Sequence, residues 1–297
     1  MATAGKIKVV LRLRPALAGE GPTKQQPAAL PPTVVPERAV AAGCAGPTTV
    51  ARLVDLGREH RHQGSSNRAQ EQAAATEGGG LRYELDRVYG QETPQREIFA
   101  EQVAPLLAAA SEPAALQLTV FAYGMTGSGK THTMQGSASD PGIIPRTVDA
   151  VFARLAEQGP DAVHEVTVSF AEVYNERCYD LLADPTAAAR PAAGGGGGRA
   201  ELAVRVDERG AVVLAGQRRE VVSSFKEFMA AYTRGGASRS TGATAMNARS
   251  SRSHAVLTLT VSRRDQATGR VLAEGLINLI DLAGNEDGAR DPQPNTS

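Results

Sequence analysis

Apolar positions fall in separated windows along the chain, and each window predicts one element. The first, Ile7–Leu13 (IKVVLRL), is a short β-branched run that reads as a buried strand ending at Arg14-Pro15. Pattern is then lost. From Ala16 to about Gly80 the composition is dominated by Pro, Ala, Gly and Gln, with a weak strand-like piece at Thr49–Leu56. Segment 16–80 therefore reads as a mostly unstructured low-complexity insertion. Order resumes at Leu81–Tyr89, an alternating strand, and at Gln95 to about Ala109, a helix with Thr93 as N-cap and Pro94 at its first position. Leu118–Ala122 is an apolar strand running into a glycine-rich loop. Beyond it the pattern predicts a helix over Pro145–Ala156, a strand over Val163–Tyr174, a flexible Gly-rich loop over 183–200 and a hairpin-like Glu201–Gly216. A helix from Phe225 to about Arg234 and strands at His254–Arg263 and Gly275–Leu282 complete the series. Strands alternating with helices predict one α/β domain, a central mixed and mostly parallel sheet with helices on both faces.

Composition changes this picture only at the edges. The 297 residues are 41% apolar, enough for a sizeable core, while 31 Gly and 17 Pro fit disordered stretches inside a folded frame. Lys plus Arg number 32 and so do Asp plus Glu, which removes any whole-chain argument for a nucleic-acid partner or an anionic membrane. Two cysteines, Cys44 and Cys178, make neither a disulfide scaffold nor a four-ligand zinc site. Val103–Tyr123 is broken by Pro105, Glu112 and Pro113 and is no membrane span, and Met1–Pro15 lacks the apolar core of a secretory signal.

The strongest chemical signal is Gly124-Met125-Thr126-Gly127-Ser128-Gly129-Lys130-Thr131, a G-x-x-x-x-G-K-[ST] loop between a strand and a predicted helix. Its glycines let backbone N–H groups turn toward phosphates, Lys130 would reach the β- and γ-phosphates, and the Thr131 hydroxyl would ligate Mg2+. Asp281-Leu-Ala-Gly284-Asn-Glu286 follows an apolar strand, so Asp281 stands at a carboxyl edge, where α/β sheets bind ligands. Gly284 could offer its N–H to a γ-phosphate. Asn247-Ala-Arg-Ser250-Ser251-Arg252-Ser253-His254 is a polar, basic octet before a strand, and alone it reads as a solvated loop.

Together these three segments resemble kinesin motor domains. Asn247–His254 matches N-x-x-S-S-R-S-H, Asp281–Glu286 matches D-L-A-G-x-E, and Phe121–Met134 matches the nucleotide loop F-A-Y-G-x-T-x-x-G-K-T-H-T-M. Arg12-Leu-Arg14-Pro15, Tyr83–Tyr89, Gln95, Gly142–Arg146 and Glu172–Leu182 resemble further landmarks in the family's order. Ser240–Thr244, Ser253–Leu257 and Asn285–Asp287 are similar to the kinesin-10 (chromokinesin) branch. The resemblance implies a P-loop NTPase fold, ATP and Mg2+ as cofactors, microtubules as partner, and a place in the cytoplasm on the microtubule cytoskeleton, the spindle included. It puts Arg12, Arg14, Pro15 and His132 around adenine and ribose, and Asn247 and Ser250 at the γ-phosphate. Ser251 joins the magnesium shell with Thr131 and Asp281. Arg252 and Glu286 form a bridge that closes on ATP and positions water. Two other readings are a non-motile nucleotide-binding module and a different P-loop enzyme such as a GTPase; no N-K-x-D guanine motif occurs.

Kinesin motors continue past this point into microtubule-facing helices, a last strand and a neck linker. Asp287–Ser297 carries two prolines and no apolar period. The expectation is a motor domain lacking those C-terminal helices and that strand. Such a chain would not walk, and would bind microtubules weakly through the Arg218-Arg219 region and the Glu201–Gly216 segment.

Overall fold

The computed structural model describes residues 9–12, 33–39, 48–54, 81–158, 163–183, 201–207, 210, 212–241 and 249–285. The chain divides into two compact units, Met1–Thr93 and Pro94–Ser297.

In the first unit, β1 (Val10–Arg12) pairs in parallel with β5 (Arg87–Tyr89). Strands β2 (Thr33–Ala39), β3 (Thr48–Val54) and β4 (Leu81–Leu85) form an antiparallel sheet. Within the insertion the described residues form two strands, and β3 overlaps the piece expected at Thr49–Leu56; the rest of the segment expected to be mostly unstructured lies outside the described residues. The strand expected over Leu81–Tyr89 is interrupted at Asp86, whose carboxylate and N–H both turn to the backbone of Val9.

The second unit is built on one eight-stranded sheet. In chain order its strands are β6 (Gln117–Ala122), β7 (Val163–Tyr174), β8 (Arg177–Asp180), β9 (Glu201–Val206), β10 (Val212–Ala215), β11 (Glu220–Val221), β12 (His254–Arg264) and β13 (Val271–Asp281). The spatial order is β10-β9-β8-β7-β12-β13-β6, with β11 beside β7. The sheet is mixed, but the expectation of mostly parallel pairing is corrected. β6 and β13 run parallel, and all its other described pairs are antiparallel. The reason is connectivity: β7 to β8, β9 to β10 and β12 to β13 are joined by short turns, which permit only antiparallel neighbours.

The helices are α1 (Gln95–Gln102), α2 (Ala104–Ala109), α3 (Lys130–Met134), α4 (Ile143–Ala156), α5 (Phe225–Thr241) and α6 (Arg249–Arg252). Pro94 itself takes the N-cap place with an extended ψ of 154°, so the first helix starts one residue later than expected. It breaks at Val103, because Pro105 has no N–H for a continuing helix. Side chains from α1, α2, α4 and α5 pack on one another and on the sheet face that carries Val168, Phe170, Leu257, Leu259, Ile277 and Leu279. Register puts these last residues side by side across β7, β12 and β13. Helices were expected on both faces; among the described residues α1, α2, α4 and α5 share this one. On the other, Thr258 donates to Asn278 at 2.9 Å, Asn278 donates to Thr119 at 3.3 Å, and Phe121 is 55% exposed.

Candidate functional site

β6 and β13 end together, with Ala122 opposite Asp281, so parallel pairing brings the glycine loop and the Asp281 segment to one sheet edge. In the loop, Gly124, Gly127 and Gly129 have φ of 151°, 78° and 93°, values that L side chains rarely adopt. A Cβ on Gly124 would come within 2.8 Å of Ser128 Oγ. Gly129 caps α3, and Lys130 folds back over the loop, its ammonium donating to the carbonyls of Gly124 at 2.9 Å and Met125 at 2.8 Å. Met125, Thr126, Gly127 and Ser128 are exposed.

Thr131 donates from Oγ1 to Asp281 Oδ2 at 2.7 Å. Behind this contact lies a buried charge cluster. Arg239, near the end of α5, places Nη1 3.5 Å from Asp281 Oδ2 and Nε 3.8 Å from Glu172 Oε1. Its Nη2 also donates to the Ser253 carbonyl at 2.9 Å. The side chains of Arg239, Glu172 and Asp281 are 11%, 0% and 8% exposed. One guanidinium faces two carboxylates, and Asp281 Oδ1 is buried with no hydrogen-bond partner. The nearby Tyr232 hydroxyl is pushed up to about 12 by burial first and then by the Asp281 charge, with Arg239 acting in the opposite sense.

The segment after β13 crosses both neighbours of this edge. Gly284 donates its N–H to the Ser251 carbonyl at 2.7 Å, and Asn285 donates its own to the Gly124 carbonyl at 3.3 Å. His132 is exposed, and Gln95, only 1% exposed at the start of α1, donates to its Nδ1 at 3.1 Å and to its carbonyl. The sequence-predicted residues Gly124–His132, Ser251, Asp281 and Gly284 are therefore gathered. Arg252 is exposed on α6, and the backbone of Ser250 belongs to the same helix. Arg12 lies in the first unit, donating to the Thr93 carbonyl at 3.4 Å. Arg14, Pro15, Asn247 and Glu286 lie outside the described residues, so no contact is assigned to them. Sequence reasoning missed Arg239, Glu172 as a buried acid, and the anchoring of His132 by Gln95.

The family model of the kinesin motor domain matches residues 14–296. The chain belongs to the kinesin motor-domain family. Its glycine loop and the Asp281 edge accordingly sit on a P-loop NTPase fold. Kinesin-like protein KIF22 of Mus musculus is 37% identical over 213 residues, covering 71% of this chain and 30% of the mouse protein. Kinesin-like protein KIN-10C of Oryza sativa subsp. japonica is 40% identical over 208 residues, covering 70% and 31%. Kinesin-like protein KIN-5B of Arabidopsis thaliana is 37% identical over 225 residues, covering 70% and 21%. This kinesin motor domain thus spans less than a third of the length of these relatives, and a kinesin-10 protein is among them, as the sequence predicts. A solved structure described as that of a fast kinesin superposes with a TM-score of 0.69 at 28% identity, covering 98% of this chain and 69% of that one. Among the described residues no helix of this motor domain is long and apolar enough to cross a membrane.

Proposed function

We propose that this kinesin motor domain binds Mg·ATP at Gly124–Thr131 and hydrolyses it with water, as the ATPase of a microtubule motor. The observation that carries the reading is the 2.7 Å contact between Thr131 and Asp281, which joins the phosphate loop to the edge of β13. The donor set fits magnesium. Among the described residues no group of three or more His, Cys, Asp or Glu is placed to hold a metal. A hydroxyl, a carboxylate with a buried unpartnered oxygen, and substrate phosphates are what an ion that keeps its waters takes. Thr131 would ligate it, with Asp281 and Ser251 holding its waters, and the ion would neutralise charge on the β- and γ-phosphates.

The chain's own residues do the rest. Lys130 leaves two carbonyls for the phosphates, a charge-assisted exchange worth a few kcal/mol. Gly284 exchanges the Ser251 carbonyl for the γ-phosphate as the acceptor of its N–H, Asn247 and Ser250 reach the same phosphate with their side chains, and Arg252 and Glu286 close as a bridge that orients water. His132 meets adenine and ribose, the role that the family resemblance also gives to Arg12, Arg14 and Pro15. Catalysis is by positioning and charge neutralisation, with no covalent intermediate. Microtubules are the partner and the cytoskeleton the site of action. Family membership supports this, as does the antiparallel β9–β10 hairpin with its exposed Arg205.

Fluorescent-ADP titration tests the site: Lys130→Ala should bind at least tenfold more weakly than wild type, and equal affinities would refute the assignment. Single-turnover hydrolysis then separates an ATPase from a nucleotide-binding module that does not turn over.

A further inference from the structure

The described residues after β13, Leu282–Asn285, form no helix or strand, yet their four consecutive N–H groups each find an acceptor. Leu282 donates to the Ala122 carbonyl at 3.3 Å, and Asn285 to that of Gly124 at 3.3 Å. Between them, Ala283 donates to His254 Nδ1 at 3.0 Å and Gly284 to the Ser251 carbonyl at 2.7 Å. The outer two bonds go to the phosphate-loop side and the inner two to the α6–β12 side. Asn285 adds a side-chain bond from Nδ2 to the Tyr123 hydroxyl at 2.8 Å. Of the four acceptors of these N–H groups, only His254 acts through a side chain.

We propose that His254 is a positioning residue for the reaction, fixing the Leu282–Ala283 peptide so that the Gly284 amide one residue on keeps one position from which to exchange the Ser251 carbonyl for phosphate. The chemistry of imidazole sets the requirement. Nδ1 must carry its lone pair, because an N–H there would face the N–H of Ala283. His254 is the first residue of β12, opposite Val173 of β7 and half-buried, so its ring is carried by the sheet. Ala283 is thereby tied to the sheet at its own N–H, and the Gly284 amide is oriented from that anchor by the φ and ψ of Ala283. Without that tie the Gly284 amide would be held by the Ser251 carbonyl alone, and a contact to phosphate that replaces this bond would lose its preorganisation. The inference rests on the reading of Gly284 as a γ-phosphate contact, and the test separates the two.

Hydrogen–deuterium exchange on the full chain is measured for wild type, His254→Phe, His254→Ala and His254→Asn. Phe fills the ring volume without an acceptor, Ala removes the ring, and Asn restores an acceptor near the Nδ1 position. A peptide ending at Asn285 should exchange at least tenfold faster in the Phe and Ala variants, with β7 and β12 as protected as in wild type. Asn should restore protection. In parallel, the Phe variant should lose at least fivefold more affinity for a non-hydrolysable ATP analogue than for ADP, and Asn should recover it. Unchanged protection in both the Phe and Ala variants overturns the proposal, as does an equal loss for the two nucleotides. A wild-type chain that binds neither nucleotide refutes the nucleotide reading, while exchange still decides whether His254 holds the segment.

Discussion

Replacing Arg239 with Met removes the cation between two buried carboxylates and keeps most of the aliphatic volume. At 3.5 Å from Asp281 and 3.8 Å from Glu172, each attraction is on the order of 4–5 kcal/mol at an effective dielectric of about 20. Desolvation of three charges offsets much of that in the intact cluster, so its net contribution is small. Removing one partner is different, because Glu172 and Asp281 stay buried and lose the cation they share. A cost of about 3–5 kcal/mol follows, a large part of the roughly 5–15 kcal/mol that holds a domain together. For a unit of this size it lowers Tm by roughly 6–20 °C. The chain has no Trp, so equilibrium urea unfolding is best followed by circular dichroism. Adding Glu172→Gln to Arg239→Met should return part of the loss, since it removes one uncompensated charge, whereas independent sites would simply add. A loss below about 1 kcal/mol for Arg239→Met, or strict additivity in the double variant, would refute a buried, coupled cluster.

Tyr232, at about 12 when folded against ~10 when unfolded, gives stability that is complete below pH 10 and declines as pH rises toward 12. Urea unfolding of wild type should lose up to about 2.7 kcal/mol more than Tyr232→Phe over that window. At the start of α5, Ser224 accepts the Glu227 N–H at 3.2 Å, and Ser224→Ala should cost about 1 kcal/mol in the same assay. Glu227 accepts the Ser223 N–H and hydroxyl, which hold its carboxyl below the ordinary range, so its contribution is present at neutral pH and fades as pH falls through that lowered value. Gly235→Ala gains helix propensity, but its Cβ would sit 2.4 Å from Phe170 Cδ1, and a net loss of about 1–2 kcal/mol is expected by thermal unfolding.

The glycine loop was legible because its signal is local: an apolar strand, glycines at fixed spacing, then Lys130-Thr131. Strand positions were legible too, since Val163–Tyr174 carries its own period and the structure places β7 there. Strand direction was not, because an alternating pattern says which face is buried and nothing about the neighbour. The helix expected to stop near Arg234 continues to Thr241, since Gly235-Gly236 reads as a helix end. In the fold, Gly235 instead lets the helix approach Phe170 closely. That continuation is why Arg239 was missed: set between two serines in a polar stretch, it has the sequence signature of a solvated residue. Its burial depends on Glu172 and Asp281, which reach it only through long-range pairing.

The two partners of Asn278 lie at very different distances along the chain. Its partner on β12, Thr258, is 20 residues away, whereas Thr119 on β6 is 159 away. The turn between β12 and β13 is closed locally, Asp265 accepting the Thr268 N–H at 2.8 Å. Closing the longer loop costs about 2 kcal/mol more in chain entropy, so the hairpin that ends in Asp281 can form early while β6 docks late. Thr131 follows β6 and meets Asp281 only when that docking is done. A partly folded chain with β6 undocked therefore has the acid and lacks the loop. Anything that binds across the two would bind the native state alone, and would add RT ln(1 + [L]/Kd) to its stability.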